Sequence, residues 1–130
     1  MRKSIWALWL ALTLTACKKN TTPEPDVAAE ITITNPTAGT IFLNGSALQI
    51  RGSATDNNVL ASVTCTIRNS NNNAILYNRT LSTGNVGFFD YSQNWTITGI
   101  TTITPAKLIV TTTDKLGFSV SKEVSFQLID

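Results

Sequence analysis

The sequence predicts an all-β domain, an antiparallel β-sandwich of about seven strands. From residue 31 onward, short runs rich in Ile, Val, Thr, Phe and Tyr alternate with polar residues, which is typical of strands with one buried face. Gly, Asn and Pro interrupt these runs every ten residues or so, as turns do in a sandwich. No stretch after residue 16 has a helical period. These three observations together favour strands throughout.

Taken in order, the predicted strands span residues 31–35, 41–43, 48–55, 61–68, 75–81, 89–98, 107–113 and 119–128. The second of them is a brief edge strand. Turn signals separate the runs. Asn44-Gly45 is a dipeptide favoured where turn residues need positive φ, and segment 114–117 begins with Asp and ends with Gly, as a type I turn prefers. Residues 69–73 are a polar loop between two strands.

One face of each strand is expected to form the core, because side chains alternate between the two faces of a sheet. The alternation selects apolar residues on these faces: Leu48, Ile50, Ala54, Val63, Cys65, Ile67, Phe89, Tyr91, Trp95, Ile97, Leu108, Val110, Val124, Phe126 and Leu128. The opposite faces carry mainly Thr, Ser and Asn, which keep β propensity and remain wettable. Phe88 is the exception, since it falls on an outward face.

The N-terminus carries an export signal. Arg2 and Lys3 precede an apolar run at 5–14 that suits a secretory signal and is shorter than the roughly 20 residues of a membrane helix. The tetrapeptide Leu-Thr-Ala-Cys at 14–17 follows and resembles the lipobox of bacterial lipoproteins. That resemblance implies cleavage before Cys17 and lipid on its sulfur and new amino group, which makes the bilayer a partner. A plain signal peptide followed by a chance cysteine is the alternative.

These signals divide the chain into three parts. Residues 1–16 are the expected signal peptide, residues 17–30 the lipidated cysteine with an extended, Pro-containing tether, and residues 31–130 the β-domain. The expected location is the bacterial cell envelope. Lys18, next to the cysteine, resembles signals that permit transfer to the outer membrane. Whether the domain faces the periplasm or the cell surface stays open.

Within the β-domain, the sequence resembles bacterial Ig-like domains of surface proteins and lipoproteins. The resemblance is carried by Pro-Thr-Ala-Gly-Thr at 36–40, Gly45, Leu-x-Ile-x-Gly-x-Ala-x-Asp at 48–56, Leu60 with Val63, and the strand and turn at 107–117. It implies an Ig-like β-sandwich that serves as a spacer or a binding module, and it implies no catalytic residue.

Composition argues against several classes of function. The precursor has 10 basic and 8 acidic residues, and removal of Arg2 and Lys3 with the signal leaves 8 of each. A neutral domain without a basic cluster gives no indication of nucleic-acid binding. The chain has no His, which excludes Ser-His-Asp and Cys-His catalysis and His-ligated metals, and it has no phosphate-binding loop. We therefore expect no enzymatic activity.

Calcium is one candidate ligand. Asp56, Asn57 and Asn58 together with Asp114 offer several of the hard oxygens that Ca²⁺ prefers, and the two loops that hold them are expected to meet at one end of the sandwich. The alternative is that these are turn residues whose side chains bond nearby amides, as Asp and Asn do in loops. Because two carboxylates make a weak site, we expect no cofactor unless calcium binds here.

A glycan is the other candidate, through aromatic stacking. Alternation assigns Phe89, Tyr91 and Trp95 to one face, and a face of this kind is normally core. An outward platform requires a register shifted by one residue, which would bury Asp90 and Asn94. The favoured function is therefore a non-catalytic interaction or structural module with an unidentified protein or glycan ligand, and the alternative is a carbohydrate-binding or adhesion lipoprotein.

The two cysteines have different expected roles. With Cys17 bound to lipid, Cys65 has no partner for an intrachain disulfide. It lies in an inward-facing alternation, where a cysteine behaves as a small buried hydrophobe. Apolar packing is therefore expected to hold the domain together without a covalent bridge.

Overall fold

The computed structural model describes residues 27–130. The predicted signal peptide, the lipobox with Cys17 and most of the predicted tether lie outside the described residues. The described part forms six strands: β1 (Glu30–Asn35), β2 (Ile41–Leu43), β3 (Ala47–Asn69), β4 (Ile75–Thr96), β5 (Thr104–Asp114) and β6 (Ser119–Ile129). Residues 27–130 contain no helix with the length and apolar character needed to cross a bilayer.

The strands form two packed layers, and β3 and β4 each take part in both. The first half of β3 pairs with β1 on one side and with the second half of β4 on the other. Its second half pairs with the first half of β4 and with β5. β6 extends this second layer beside β5, and β2 joins it by parallel pairing with β6. The fold is thus the predicted antiparallel sandwich with one parallel edge.

The bends in β3 and β4 are where these strands pass from one layer to the other. The β3 register is irregular between Thr55 and Leu60, and Val59 there has φ of 71°, a conformation that is unusual for a β-branched residue. In β4, Gly84 and Asn85 have φ of 73° and 59°. Strands that change sheets do so at such irregularities.

Two strand boundaries in the sequence prediction were therefore wrong. The predicted strands 48–55 and 61–68 are one strand, β3, and the predicted strands 75–81 and 89–98 are one strand, β4. The polar and Gly-containing bend residues indicated loops, but pairing resumes beyond each bend and the strand continues in the other layer. At the start of the domain, β1 begins at Glu30 and Ala29 is buried in the core.

The core lies between the layers and contains the predicted residues. Phe89, Trp95 and Val124 are half-buried and pack against it, and the other predicted core residues are buried. The prediction omitted five members of the buried apolar cluster: Ala29, Ile31, Leu60, Ile100 and Ala106. It also omitted Gln93, which lies on the same alternating face as Tyr91 and is buried.

Gly52 lies where β1, β3 and β4 approach one another closely. It pairs with Ile33 of β1 and Tyr91 of β4. The Tyr91 hydroxyl donates a 2.6 Å hydrogen bond to the carbonyl oxygen of Thr32, and a β-carbon on residue 52 would lie 2.0 Å from that oxygen. Only Gly leaves room for the tyrosine here. The hydrogen bond ties β4 to β1 across the intervening strand.

Cys65 occupies the centre of the core and forms no disulfide within residues 27–130. Its thiol is fully buried, and burial raises its pKa from 9.0 to about 11, because the thiolate loses its hydration in an apolar setting. The thiol is thus a packing group, as the sequence predicts.

We expect this raised pKa to make the domain less stable in alkali. A folded pKa above the unfolded value adds stability that is complete below pH 9 and is lost as the pH rises toward 11, here about 3 kcal/mol. Denaturant unfolding of the wild type and of Cys65→Ala from pH 8 to 11 tests this. The wild type should lose more stability than the variant over that range. Equal losses of stability in the two proteins between pH 8 and 11 would show that ionisation of the Cys65 thiol is not coupled to unfolding.

Candidate interaction surface

The two predicted calcium carboxylates lie at one end of the sandwich, as expected. Asp56 and Asp114 both line a cavity of about 190 Å³, together with Val27, Phe118 and neighbouring residues. Asp114 is buried, and its Oδ1 accepts hydrogen bonds from the backbone N–H groups of Leu116 (2.9 Å) and Phe118 (2.8 Å). It therefore shapes the turn between β5 and β6.

Asp56 makes a similar local bond. Its Oδ1 accepts a 2.8 Å hydrogen bond from the N–H of Asn58, and Asn57 is exposed on the same bend. Within residues 27–130, no three His, Cys, Asp or Glu side chains form a group that could hold a metal ion. Both carboxylates act as turn acceptors, and calcium binding stays a prediction.

The clustered aromatic residues of β4 face inward. Tyr91 is buried and Trp95 is half-buried against the core, whereas Asp90 and Asn94 are exposed. The predicted register is therefore confirmed, and the shifted register that a flat aromatic platform requires does not occur. Phe88 lies outward, with 55% of its surface exposed.

Beside these aromatic residues, Tyr77, Gln93 and Trp95 form a seam that contains a buried polar group. The rings of Tyr77 and Trp95 lie 5.9 Å apart with a tilt of 39°, and the Tyr77 hydroxyl donates a 2.7 Å hydrogen bond to Gln93 Oε1. Among the described residues, Gln93 Nε2 is the buried side-chain polar atom that has no hydrogen-bond partner. The seam thus combines two half-buried rings with an amide donor.

An exposed apolar cluster occupies the opposite end of the sandwich from Asp56 and Asp114. Its members are Ile41, Leu43, Ile103 and Ile129, and we refer to it as the far-end patch. Ile41, Leu43 and Ile103 are 56%, 55% and 70% exposed, and Ile129 is half-buried.

Strand pairing brings the members of the far-end patch together. Leu43 pairs directly with Ile129, and Ile103 immediately precedes Thr104, which pairs with Leu128. Ile129 therefore lies between Leu43 and Ile103, with neighbouring strands about 5 Å apart. Phe42, between Ile41 and Leu43, turns inward and packs edge-on against Phe126 at 5.6 Å.

Hydrogen bonds hold this end of the domain in place. The Asn44 N–H donates to the Ile129 carbonyl oxygen at 2.7 Å, and the Gly45 N–H donates to that of Ile97 at 2.7 Å. Asn44 Oδ1 also accepts a 3.2 Å bond from the Ile100 N–H. The predicted Asn44-Gly45 turn thus anchors β2 beside β6, and the patch rests on paired backbone.

A shallow groove adjoins the far-end patch. It has a volume of about 580 Å³ and is lined by small or uncharged residues: Ala38, Gly39, Ser70, Pro105, Ala106, Ser125, Phe126 and Gln127. Gln127 pairs with Ile41, so the groove continues into the patch. The groove lining has no charged side chain and the far-end patch is apolar, which suits contact with another apolar surface.

Sequence reasoning missed the far-end patch, although a signal was present. Ile41, Phe42 and Leu43 are three consecutive apolar residues in a predicted strand. Because successive side chains point to opposite faces, such a run puts apolar groups on the solvent side as well as the core side. The sequence therefore contained evidence for an exposed apolar face.

Three solved structures resemble this fold. A fibronectin(III)-like module of CbhA from Clostridium thermocellum matches with a TM-score of 0.55 at 15% identity, over 77% of this chain and 96% of that chain. Murine CRIg matches with a TM-score of 0.46 at 10% identity, over 79% and 98%. The sporulation control protein Spo0M of Bacillus subtilis matches with a TM-score of 0.49 at 8% identity, over 78% and 49%. The first of these supports the fold alone.

The family is established from the sequence. No curated protein matches the chain. The family model described as bacterial Ig domain matches residues 30–105, which is more than half of the chain and runs from β1 into β5. This agrees with the sandwich of the structure and with the resemblance noted in the sequence. The chain therefore belongs to the bacterial Ig domain family.

Proposed function

We propose that this chain is a lipid-anchored protein of the bacterial envelope whose Ig-like domain is a non-catalytic interaction module. The observation that carries the proposal is the far-end patch, an exposed apolar surface at the end of the domain opposite to residue 27. Ig-like and fibronectin III-like domains serve as interaction or structural modules, which agrees with this role. An anchor at Cys17 would leave the patch directed away from the lipid.

The chemistry of the far-end patch favours a protein partner. Ile and Leu side chains bury well against another apolar polypeptide surface. Sugar rings, in contrast, are commonly held by stacking on aromatic faces, and the patch exposes no aromatic ring. Its two nearest aromatic residues, Phe42 and Phe126, pack on each other instead.

Site-specific photo-crosslinking in cells tests this function. A photoreactive residue at position 103 should capture one discrete envelope protein, and the same group at the exposed position Asn94 on the other layer should not. Leu43→Ser combined with Ile103→Ser should abolish the capture by the group placed at position 129 without changing the melting temperature. Equal capture at 94 and 103, or capture that survives the double variant, would contradict the proposal.

The anchor is tested separately by fractionation. The wild type should float with membranes, whereas Cys17→Ser should appear in the soluble or unprocessed fraction, because stable anchoring depends on the acyl chains. Sedimentation of the membranes on a density gradient separates the outer from the inner membrane and so tests the proposed outer-membrane location. Flotation of Cys17→Ser would show that no lipid is needed.

Carbohydrate binding is the second candidate, and the seam at Tyr77, Gln93 and Trp95 is the observation that favours it. Two rings beside an unpaired amide donor offer stacking and a hydrogen bond to one sugar. Glycan binding by the wild type that is lost in Trp95→Ala, with a cooperative unfolding transition retained, would support this function. Absence of binding in both proteins would remove it.

A further inference from the structure

We propose that the end of the domain where the chain enters rests on the surface of the bilayer. This proposal depends on the lipid anchor at Cys17. The surface in question consists of Val27, Val86, Leu116 and Phe118 with Lys115, and we refer to it as the tip. Its contact with lipid would fix the orientation of the whole domain and, with it, the direction of the far-end patch.

Pairing and hydrogen bonds place the tip residues at one end. Val86 pairs with Leu60, and Leu60 pairs on its other side with Asp114. The turn that follows Asp114 is tied to the β3 bend, because the Lys115 N–H donates a 3.0 Å hydrogen bond to the Val59 carbonyl oxygen. Leu116 lies in this turn.

The entering chain adds the remaining apolar groups. Phe118 and Val27 line the same 190 Å³ cavity, so the first described residue lies beside the β5–β6 turn. Leu116, Phe118 and Val27 are 67%, 60% and 60% exposed, and Val86 is 37% exposed. Single exposed apolar residues are normal on a protein surface, but four of them grouped at one end of a domain form a patch that indicates a contact.

The length of chain before the tip makes lipid the nearest large surface. Nine residues, 18–26, separate Cys17 from Val27, so the tether reaches at most roughly 35 Å. An 11-residue strand such as β5 also spans roughly 35 Å. Contact of the far end with the bilayer therefore requires a fully extended tether, whereas contact of the tip does not. Tethering also raises the effective concentration of the tip at the membrane.

The charges at the tip are compatible with phospholipid headgroups. Lys115 is exposed beside Leu116 and suits a lipid phosphate. The nearby carboxylates of Asp56 and Asp114 already accept backbone hydrogen bonds. Glu30, at the start of β1, is an exposed acidic group on the same end and would face the amine of phosphatidylethanolamine. The apolar side chains, and not the net charge of this end, therefore carry the proposed contact with lipid.

Fluorescence quenching in vesicles tests the proposal on the full lipidated chain. Leu116→Cys and, as a matched control at the far end, Ile103→Cys would each be labelled with an environment-sensitive dye. The unlabelled wild type checks that buried Cys65 takes up no dye. Vesicles would contain phosphatidylethanolamine and phosphatidylglycerol with a shallow spin-labelled lipid as quencher. We expect at least about threefold stronger quenching at position 116 than at position 103.

The outcomes separate this proposal from the proposed function. Equal or absent quenching at both positions, in protein that still floats with the vesicles, would overturn the tip contact and leave the anchor intact. Protein that fails to float would overturn the anchor and the tip contact together. A dye at 116 that is shielded but not quenched by lipid would show that a second copy or another protein covers the tip, which also overturns the proposal.

Discussion

Replacing Gly52 with Ala is expected to lower the free energy of unfolding by about 3 kcal/mol or more. The added β-carbon would lie 2.0 Å from the Thr32 carbonyl oxygen and 2.1 Å from the Tyr91 hydroxyl oxygen. The first of these atoms is backbone, so a rotation of the tyrosine alone cannot relieve the clash. β1 or β4 has to move away from β3, and the hydrogen bond between Tyr91 and Thr32 is lost with that movement.

Thermal or denaturant unfolding of Gly52→Ala against Gly87→Ala measures this effect. Gly87 is a matched control, because a β-carbon there would meet only the Asp56 carbonyl oxygen at 3.4 Å, an ordinary contact. We expect Gly52→Ala to lower the melting temperature by at least about 10 °C and Gly87→Ala to change it little. Equal melting temperatures for the two variants would show that the three strands are not as close as the structure describes.

Replacing Leu60 with Ala is expected to destabilise the domain by about 3 kcal/mol. Leu60 is fully buried at the point where β3 enters the second layer, flanked by Val86 of β4 and Asp114 of β5. Its backbone is held as well, since its carbonyl oxygen accepts a hydrogen bond from the buried Thr83 hydroxyl. Because strands on both sides fix this site, it cannot collapse around the cavity that the truncation leaves.

Leu116→Ala is the control for this second prediction. It removes the same atoms from a side chain that is 67% exposed, so its stability should stay within about 0.5 kcal/mol of the wild type. Urea unfolding with a common slope for all three proteins gives the comparison. A loss of less than about 1 kcal/mol in Leu60→Ala would indicate that the bend around this residue repacks.

The sequence predicted the regular parts of the fold because side-chain alternation reports directly on burial. Leu48 and Ile50, for example, alternate with polar neighbours and are fully buried. The sequence prediction missed Leu60 because Leu60 follows Asp56, Asn57 and Asn58. Their polarity indicated a loop, so the alternation of the strand was not continued to residue 60. A strand that bends between two layers interrupts its pairing and its alternation at the bend and resumes both beyond it, and a local pattern cannot show that the two halves are one strand.

The surfaces of the domain were less predictable than its core. The prediction that Asp56 and Asp114 lie at one end of the domain was correct, because it follows from the order of strands in a sandwich. The far-end patch depends instead on the parallel pairing of β2 with β6, which brings residues 41–43 beside residues 127–129. Contacts across such a separation in sequence are set by the whole fold, so the neighbours of Ile103 could not be deduced from its own segment.

The opposite placement of tether and far-end patch has a mechanical consequence. The chain enters at β1, which is held to the domain by its pairing with β3 from Glu30–Thr55 to Asn35–Arg51. A stretching force between an anchored N-terminus and a partner bound at the far end would act along the axis of these two strands. The hydrogen bonds between them would then be loaded together in shear rather than opened one after another. A domain anchored and bound in this way would resist stretching along the line between the two attachment points.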